Sequence, residues 1–184
     1  WARNASHGRA SVLTCYSFGK AQRVLAGVDP SIGPIVVHGA VAPLNRAYAA
    51  AGVSLPDTRM VTEVTDKADL RRCLVVCPPS AASSPWIRRF GEARTAFASG
   101  WMQVRGNRRR GGYDRGFVLS DHADWPGLMS AIAATGAQRV IVTHGSVPVL
   151  VRHLRERGLQ ADAFETEYGE DVVEADLQPP EEPA

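Results

Sequence analysis

Two histidines in the second half of the chain stand where they could do acid–base or metal chemistry. The first lies in the motif Ser120-Asp121-His122-Ala123-Asp124, and the second lies in Thr143-His144-Gly145. Neutral imidazole is the commonest nitrogen ligand of zinc, and it also exchanges a proton near neutral pH. One histidine could therefore bind a metal ion while the other protonates a leaving group.

The acidic neighbours of His122 have more than one possible use. Asp121 and Asp124 can each orient an imidazole ring by accepting its second N–H. Asp124 also stands directly before the apolar segment that starts at Trp125, a position that favours the N-cap of a helix. We therefore predict that one of the two histidines binds a metal ion and the other acts in catalysis, with Asp121 as a catalytic candidate beside His122 and Asp124 as an N-cap.

The segments that would position these residues alternate between short β-branched runs and amphipathic stretches, which is typical of an α/β fold. Residues 116–120 and 139–143 are apolar runs, and helical patterns follow them at 125–135 and 147–157. In a right-handed strand–helix–strand unit, the two strands are parallel and end at the same edge of the sheet. If they are also neighbours, both imidazoles reach one crevice at the edge where α/β sheets bind ligands.

The sequence pattern divides the chain into three parts. Residues 1–103 predict a small α/β domain, and residues 104–170 begin with a linker rich in glycine and arginine and continue as a βαβα piece. Two strands with two helices cannot cover both faces of a parallel sheet, so we expect this second part to need a partner. Residues 171–184 are acidic and proline-rich, and we expect a disordered tail.

The charge of the chain is strongly uneven. Its first 164 residues hold all 21 basic residues and 11 of the 19 acidic ones, a net charge of +10 that favours a polyanion such as nucleic acid. A solvated loop would explain the arginines before the His122 motif, but guanidinium groups among glycines also suit phosphate binding. We predict phosphate contacts for Arg105, Arg108, Arg109, Arg110 and Arg115.

Other residues indicate possible ligand contacts and the cellular compartment of the protein. Trp101 is the preferred candidate for stacking on a base, and His38, which ends a strand without an acidic neighbour, is structural or contacts substrate. The three cysteines lack paired spacing, and we expect small buried side chains in a reducing compartment. Since the sequence has neither a membrane-length apolar run nor a secretory signal, we expect a cytoplasmic protein.

Four motifs resemble those of the metallo-β-lactamase/β-CASP nuclease family. Ser120-Asp121-His122-Ala123-Asp124 resembles the histidine motif B, and Val142-Thr143-His144-Gly145 resembles motif C. Ser99-Gly100-Trp101-Met102 resembles the stretch that closes the β-CASP insert, and Gly19-Lys20-Ala21-Gln22-Arg23 resembles the helix that opens it. The resemblance covers most of the chain up to about Glu170, and it is nearest to bacterial ligase-associated DNA exonucleases.

The resemblance implies hydrolysis of phosphodiester bonds with two zinc ions. His144 would then bind one zinc ion, and His122 would contact the scissile phosphate or assist the leaving group. Lys20, Ser99 and Gly100 would join the nucleic-acid-binding surface.

The implied fold is a β-CASP-type α/β domain over residues 1–103, followed by the returning βαβα segment of a metallo-β-lactamase domain over 104–170. The family's first half carries an HxHxDH zinc motif, a further histidine, a bridging aspartate and the acidic motif A, and this sequence has none of them. We therefore expect the C-terminal half of such a nuclease, inactive alone, with the missing N-terminal half and functionally a DNA ligase as partners.

Three other functions stay open at this point. The chain could be a non-catalytic nucleic-acid-binding module, an mRNA 3′-end-processing type of nuclease, or an α/β sugar or phosphate esterase that uses the His/Asp pair. The preference for DNA over RNA comes from family likeness alone.

Overall fold

The computed structural model describes residues 1–103, 112–143 and 145–164. The chain forms two compact units, which divide between Asp121 and His122. This division lies later in the chain than the sequence-based boundary after residue 103. The assignment of the two parts to particular domain types stays a prediction, and the expected tail, residues 171–184, lies outside the described residues.

The first unit alternates strands with helices and short 3-10 turns. Its strands are β1 (Ala10–Thr14), β2 (Ile35–Val37), β3 (Arg59–Met60), β4 (Leu74–Cys77), β5 (Ala93–Ala98) and β6 (Arg115–Phe117). Its helices are α1 (Ala2–Ser6), α2 (Lys20–Gly27), α3 (Ala42–Ala50), α4 (Lys67–Leu70) and α5 (Pro79–Ala82). The 3-10 turns cover Pro30–Ile32, Val61–Glu63, Pro85–Phe90 and Gly100–Gln103.

The six strands form one parallel sheet in the order β3-β2-β4-β1-β5-β6. Because helices flank it, its central strands are apolar on both faces. Leu74 and Val76 of β4 belong to one hydrophobic core, and Val75 and Cys77 belong to the other. The prediction of an α/β fold is confirmed.

A buried polar link connects α2 with α3. Gln22 Nε2 donates to Asn45 Oδ1 at 2.8 Å, and Asn45 Nδ2 donates to Thr58 Oγ1 at 3.3 Å. Hydrogen bonds of this kind compensate the desolvation of buried amide groups and fix the distance between the elements that carry them. The two helices that follow β1 and β2 are thus tied together beside the sheet.

Strand β6 is attached to the edge of the sheet at both of its ends. Before its start, the Asp114 carboxylate accepts from the Thr95 backbone N–H at 2.8 Å and from the Arg94 guanidinium at 2.9 Å. These bonds hold the pKa of Asp114 below its usual range, the backbone N–H having the largest effect. Beyond its end, the Leu119 N–H donates to the Ser99 carbonyl at 3.4 Å.

The sequence pattern also predicts strands at 60–64 and at 163–168, and the first of these differs from the structure. The strand expected at 60–64 is only the two-residue β3, because Glu63 Oε2 accepts the Met60 N–H at 2.7 Å and closes a turn instead of continuing the ladder. Of the residues expected to form a last strand, 165–168 lie outside the described residues, and the described strand is Gln160–Ala163. Its backbone pairs in parallel with the strand Arg139–Val142.

The second unit consists of α6 (Trp125–Thr135), β7 (Arg139–Val142), α7 (Val147–Glu156) and β8 (Gln160–Ala163). Its two strands form a sheet of their own, with a small core of Val142, Val151, Leu154 and Ala161. Large apolar side chains remain exposed in it, among them Ile141 and Phe164. Within the described ranges, no helix is long and apolar enough to cross a membrane.

Candidate active site at the carboxyl edge of the sheet

The carboxyl edge of the six-stranded sheet brings together Lys20, at the start of α2, and Asp121, beyond β6. Lys20 Nζ lies 3.2 Å from Asp121 Oδ1, and the side chains are 4% and 25% exposed. β1 and β6 are separated by β5, but parallel strands end at the same edge, so the segments that follow them meet there. The residue directly before His122 is therefore held by a buried cation.

The Lys20 ammonium has a second favourable neighbour. It lies 4.7 Å from the centroid of the Tyr16 ring, within the range of a cation–π interaction. An ammonium group that is removed from water without compensation is very costly. The carboxylate and the ring together explain how this lysine is accommodated at a buried position.

Gly19 lets the Asp121 carboxylate approach the backbone of the β1–α2 loop. Its φ and ψ are 73° and −63°, and the Lys20 N–H donates to the Phe18 carbonyl at 2.8 Å. This is a γ-turn of the rare form with positive φ, which is strained for residues with a side chain. A Cβ at Gly19 would lie 2.7 Å from Asp121 Oδ2, so both the conformation and the space require glycine.

The segment before His122 is held from two further directions. Arg23 Nη1 donates to the Ser120 carbonyl at 2.7 Å from helix α2. On the other side, Gly100 faces Ser120, and a Cβ at Gly100 would meet the Ser120 Cβ at 3.4 Å. The backbone that leads to the histidine motif is thus fixed by side chains of α2 and by the turn after β5.

The turn after β5 carries the predicted residues Ser99, Gly100 and Trp101. Ser99 is buried, and its Oγ accepts the Trp101 N–H at 3.3 Å. The Ser99 backbone N–H donates to the Phe117 carbonyl of β6 at 3.1 Å. Trp101 is exposed, as a residue that stacks on a base must be.

The histidine motif continues into the second unit. His122 is exposed, and Asp124 Oδ1 accepts the Gly127 N–H at 2.8 Å, which confirms Asp124 as the N-cap of α6. His144 lies outside the described residues. In the described part of the chain, β6 pairs with β5 and β7 pairs with β8, so the strands before the two histidines belong to different sheets. That both imidazoles reach one crevice stays a prediction.

The remaining predicted contacts fall at several places. His38 directly follows β2, and its ring lies edge-on to Trp86 at 5.0 Å, while its Nδ1 accepts the Ala40 N–H at 3.1 Å. Arg115 is exposed at the amino end of β6, the end opposite to Asp121.

The sequence predicts that Lys20 contacts nucleic acid, but in the structure its ammonium is buried against Asp121. Four of the predicted contacts lie outside the described residues: Arg105, Arg108, Arg109 and Arg110.

The described residues do not fit a zinc site by themselves. Among them, no group of three or more His, Cys, Asp or Glu side chains could hold a metal ion. All three cysteines are buried, as expected, and desolvation raises the pKa of Cys15, Cys73 and Cys77 to about 12. Since zinc binds the thiolate form, these buried thiols are poor zinc ligands.

Sequence reasoning missed the partners that hold this site. No role is predicted for Tyr16, and Gly19 is named only as part of a longer motif. Aromatic and glycine residues soon after a strand nevertheless point to a loop at the carboxyl edge. No local signal indicates that residue 20 meets residue 121. That pairing follows only from the strand order.

These features define an α/β protein with an open parallel sheet and a cluster of polar side chains beyond its strand ends, where such proteins bind ligands. No family model matches the chain, and no solved structure matches it significantly. Over 153 residues the chain is 38% identical to a protein of Opitutus terrae (strain DSM 11246 / JCM 15787 / PB90-1) named Probable DNA ligase. The match covers 83% of this chain and 15% of that protein, so the chain is similar to one part of a larger protein.

Proposed function

We propose that this chain is the C-terminal part of a zinc-dependent exonuclease of the metallo-β-lactamase/β-CASP type, which hydrolyses DNA and works beside a DNA ligase. The observation that carries the proposal is the 38% identity, over 83% of the chain, to a protein named Probable DNA ligase. The histidine motif that follows a fixed segment at a ligand-binding edge supports the same function.

In this proposal His122 is the group that contacts the scissile phosphate or protonates the leaving oxygen. A general acid must be held within hydrogen-bond reach of the atom that it protonates. The residues directly before His122 meet this need in part, because Arg23 holds the Ser120 carbonyl and Lys20 holds Asp121. Asp121 acts here as a positioning residue through its ion pair.

The other zinc ligands would come from a segment outside these 184 residues, with His144 as the ligand supplied by this chain. Support comes from the exposed apolar side chains of the second unit, such as Ile141 and Phe164, which a further layer of structure would cover. The chain also spans only 15% of its relative, which leaves room for such a segment.

The test uses the complete protein with its flanking coding sequence and end-labelled single-stranded DNA. Cleavage is expected to stop on chelation, to return with Zn²⁺ and to be lost in His144→Ala. In His122→Ala it should fall by about 10²- to 10⁴-fold, the usual contribution of a general acid. His7→Ala is the matched control, because His7 is exposed beside the short first helix. Full cleavage after chelation and in His144→Ala would end the proposal.

A non-catalytic nucleic-acid-binding module is the second candidate. The first unit has 17 basic and eight acidic residues, a net charge of +9 that suits a polyanion without any catalysis. In that case the complete protein binds DNA or RNA in a salt-dependent manner, and binding survives both histidine substitutions. Parallel assays with DNA, RNA and a small phosphoester separate this candidate from an RNA nuclease and from an esterase.

A further inference from the structure

Phe18 presents a bare aromatic ring at the carboxyl edge of the first unit. It is 68% exposed, more than any other large hydrophobic side chain in the described ranges. It also lies outside both hydrophobic cores of this unit. The fold therefore gains little from this ring, and its exposure points to an interaction with something else.

The ring is held in place although it is exposed. Phe18 lies edge-to-face with Tyr48 of α3, with ring centroids 6.1 Å apart and planes at 72°. Its carbonyl accepts the Lys20 N–H in the γ-turn at Gly19, so the backbone beside it is fixed. A ring that is ordered before binding loses less entropy when a flat partner stacks on it.

The position and charge of this unit favour a nucleic-acid base as the occupant. Phe18 directly precedes Gly19, whose backbone lies against the Asp121 carboxylate, so the ring is beside the candidate active site. Helix α2 exposes Arg23 and helix α3 exposes Arg46, and the first unit carries a net charge of +9. Proteins that bind single strands combine these two features, a positive surface and aromatic rings on which bases stack.

We propose that Phe18, supported by Tyr48, is a stacking site for an unpaired base of a single-stranded nucleic acid. This inference deepens the proposed function and rests on it, because it names a single strand as the form of substrate at the candidate site. Duplex DNA does not use the site, since its bases are already stacked on one another.

The experiment measures binding of this chain to fluorescein-labelled oligothymidine by anisotropy. Phe18→Ala is expected to weaken binding about 5- to 150-fold, the range for loss of one stacked base. Phe18→Trp should bind at least as well as the natural chain, whereas Phe18→Leu should bind as weakly as Phe18→Ala. The control Val149→Ala removes an apolar side chain that is 61% exposed in the second unit, and it should have no effect. Circular dichroism of each variant verifies folding.

Any one of three results would overturn the stacking site. The first is a Phe18→Leu variant that binds like the natural chain, because a protein segment or any other apolar partner tolerates leucine where a base does not. The second is an equal loss of binding for duplex DNA, and the third is no binding of oligothymidine by the natural chain.

The outcome is separable from that of the proposed function. If all Phe18 variants bind oligothymidine equally well while the complete protein shows zinc-dependent cleavage, the stacking site alone is refuted. If the Phe18 variants lose binding as expected but the complete protein does not cleave DNA, the nuclease proposal alone is refuted.

Discussion

The Lys20 ammonium and the Asp121 carboxylate form an ion pair of 3.2 Å across the carboxyl edge of the six-stranded sheet. The lysine is buried almost completely, whereas a quarter of the aspartate side chain remains exposed. The buried ammonium therefore depends more on the carboxylate than the carboxylate depends on the ammonium. Water can solvate the carboxylate in part, but the ammonium has only its protein neighbours.

This inequality predicts different costs for the two single substitutions. Asp121→Asn leaves a buried cation without its counter-ion and should lower the free energy of unfolding by about 3 kcal/mol, the lower end of the range for a broken buried pair. Lys20→Met should cost about 1–2 kcal/mol, because the remaining carboxylate is hydrated. Urea denaturation of each variant gives these values.

The double variant Lys20→Met/Asp121→Asn serves as the control for that pair. It should be more stable than the sum of the single effects allows, with an interaction energy of about 1 kcal/mol or more. Additive effects, or a larger loss in Lys20→Met than in Asp121→Asn, would contradict the role assigned to the pair.

Gly19→Ala is predicted to destabilise the first unit for two reasons. Alanine is strained at φ 73°, and its Cβ would lie 2.7 Å from Asp121 Oδ2. We expect a loss of about 2–3 kcal/mol in the free energy of unfolding. Gly8→Ala is the matched control, since Gly8 has φ 66° and nothing within 4 Å of its Cβ position. It should cost only the conformational part, and equal losses would exclude the contact with Asp121.

The buried thiols are predicted to be unreactive in the folded chain. Burial raises the pKa of Cys15, Cys73 and Cys77 to about 12, so at a pH of about 8 the reactive thiolate is almost absent. Alkylation by iodoacetamide, followed by mass spectrometry, should label none of the three quickly without urea and all of them in urea. Rapid labelling of the folded chain at that pH would contradict their burial.

Asp114 is predicted to make stability depend on pH. Because its folded-state pKa is depressed, the carboxylate stabilises the chain above its unfolded pKa, and this contribution disappears as pH falls through the folded pKa. Asp114→Asn should therefore lower stability by about 1 kcal/mol near neutral pH, a modest value because the pair with Arg94 is exposed. The difference from the natural chain should vanish in strong acid. A difference that stays constant from strong acid to neutral pH would rule out the charge as its cause.

The arginines before β6 are predicted to bind phosphates. Replacing Arg108, Arg109 and Arg110 by alanine should weaken binding of single-stranded DNA and reduce the slope of log K against log salt by about 0.7 for each phosphate that is no longer neutralised. Arg152→Ala is the control, because its guanidinium is engaged by Glu156 at 2.8 Å on helix α7. An unchanged salt slope in the triple variant would show that these arginines form only a solvated loop.

Local patterns in the sequence determined much of the secondary structure. The continuous apolar run of β4 is typical of a strand that is buried on both faces, and Asp124 before Trp125-Pro126 indicated the start of a helix, because capping depends on neighbouring residues alone. The short β3 was not predictable in length, since the Glu63 side chain competes there with the strand ladder.

The candidate site depended on more than local pattern. The sequence by itself determined which residue types could act, the α/β class and the concentration of positive charge before residue 165. Only the tertiary structure decided that Lys20 meets Asp121, that Gly19 must lack a side chain, and that the strands before His122 and His144 belong to different sheets. The physical reason is that strand order brings distant segments to one edge, and hydrogen bonding between strands leaves little trace in the order of residues along the chain.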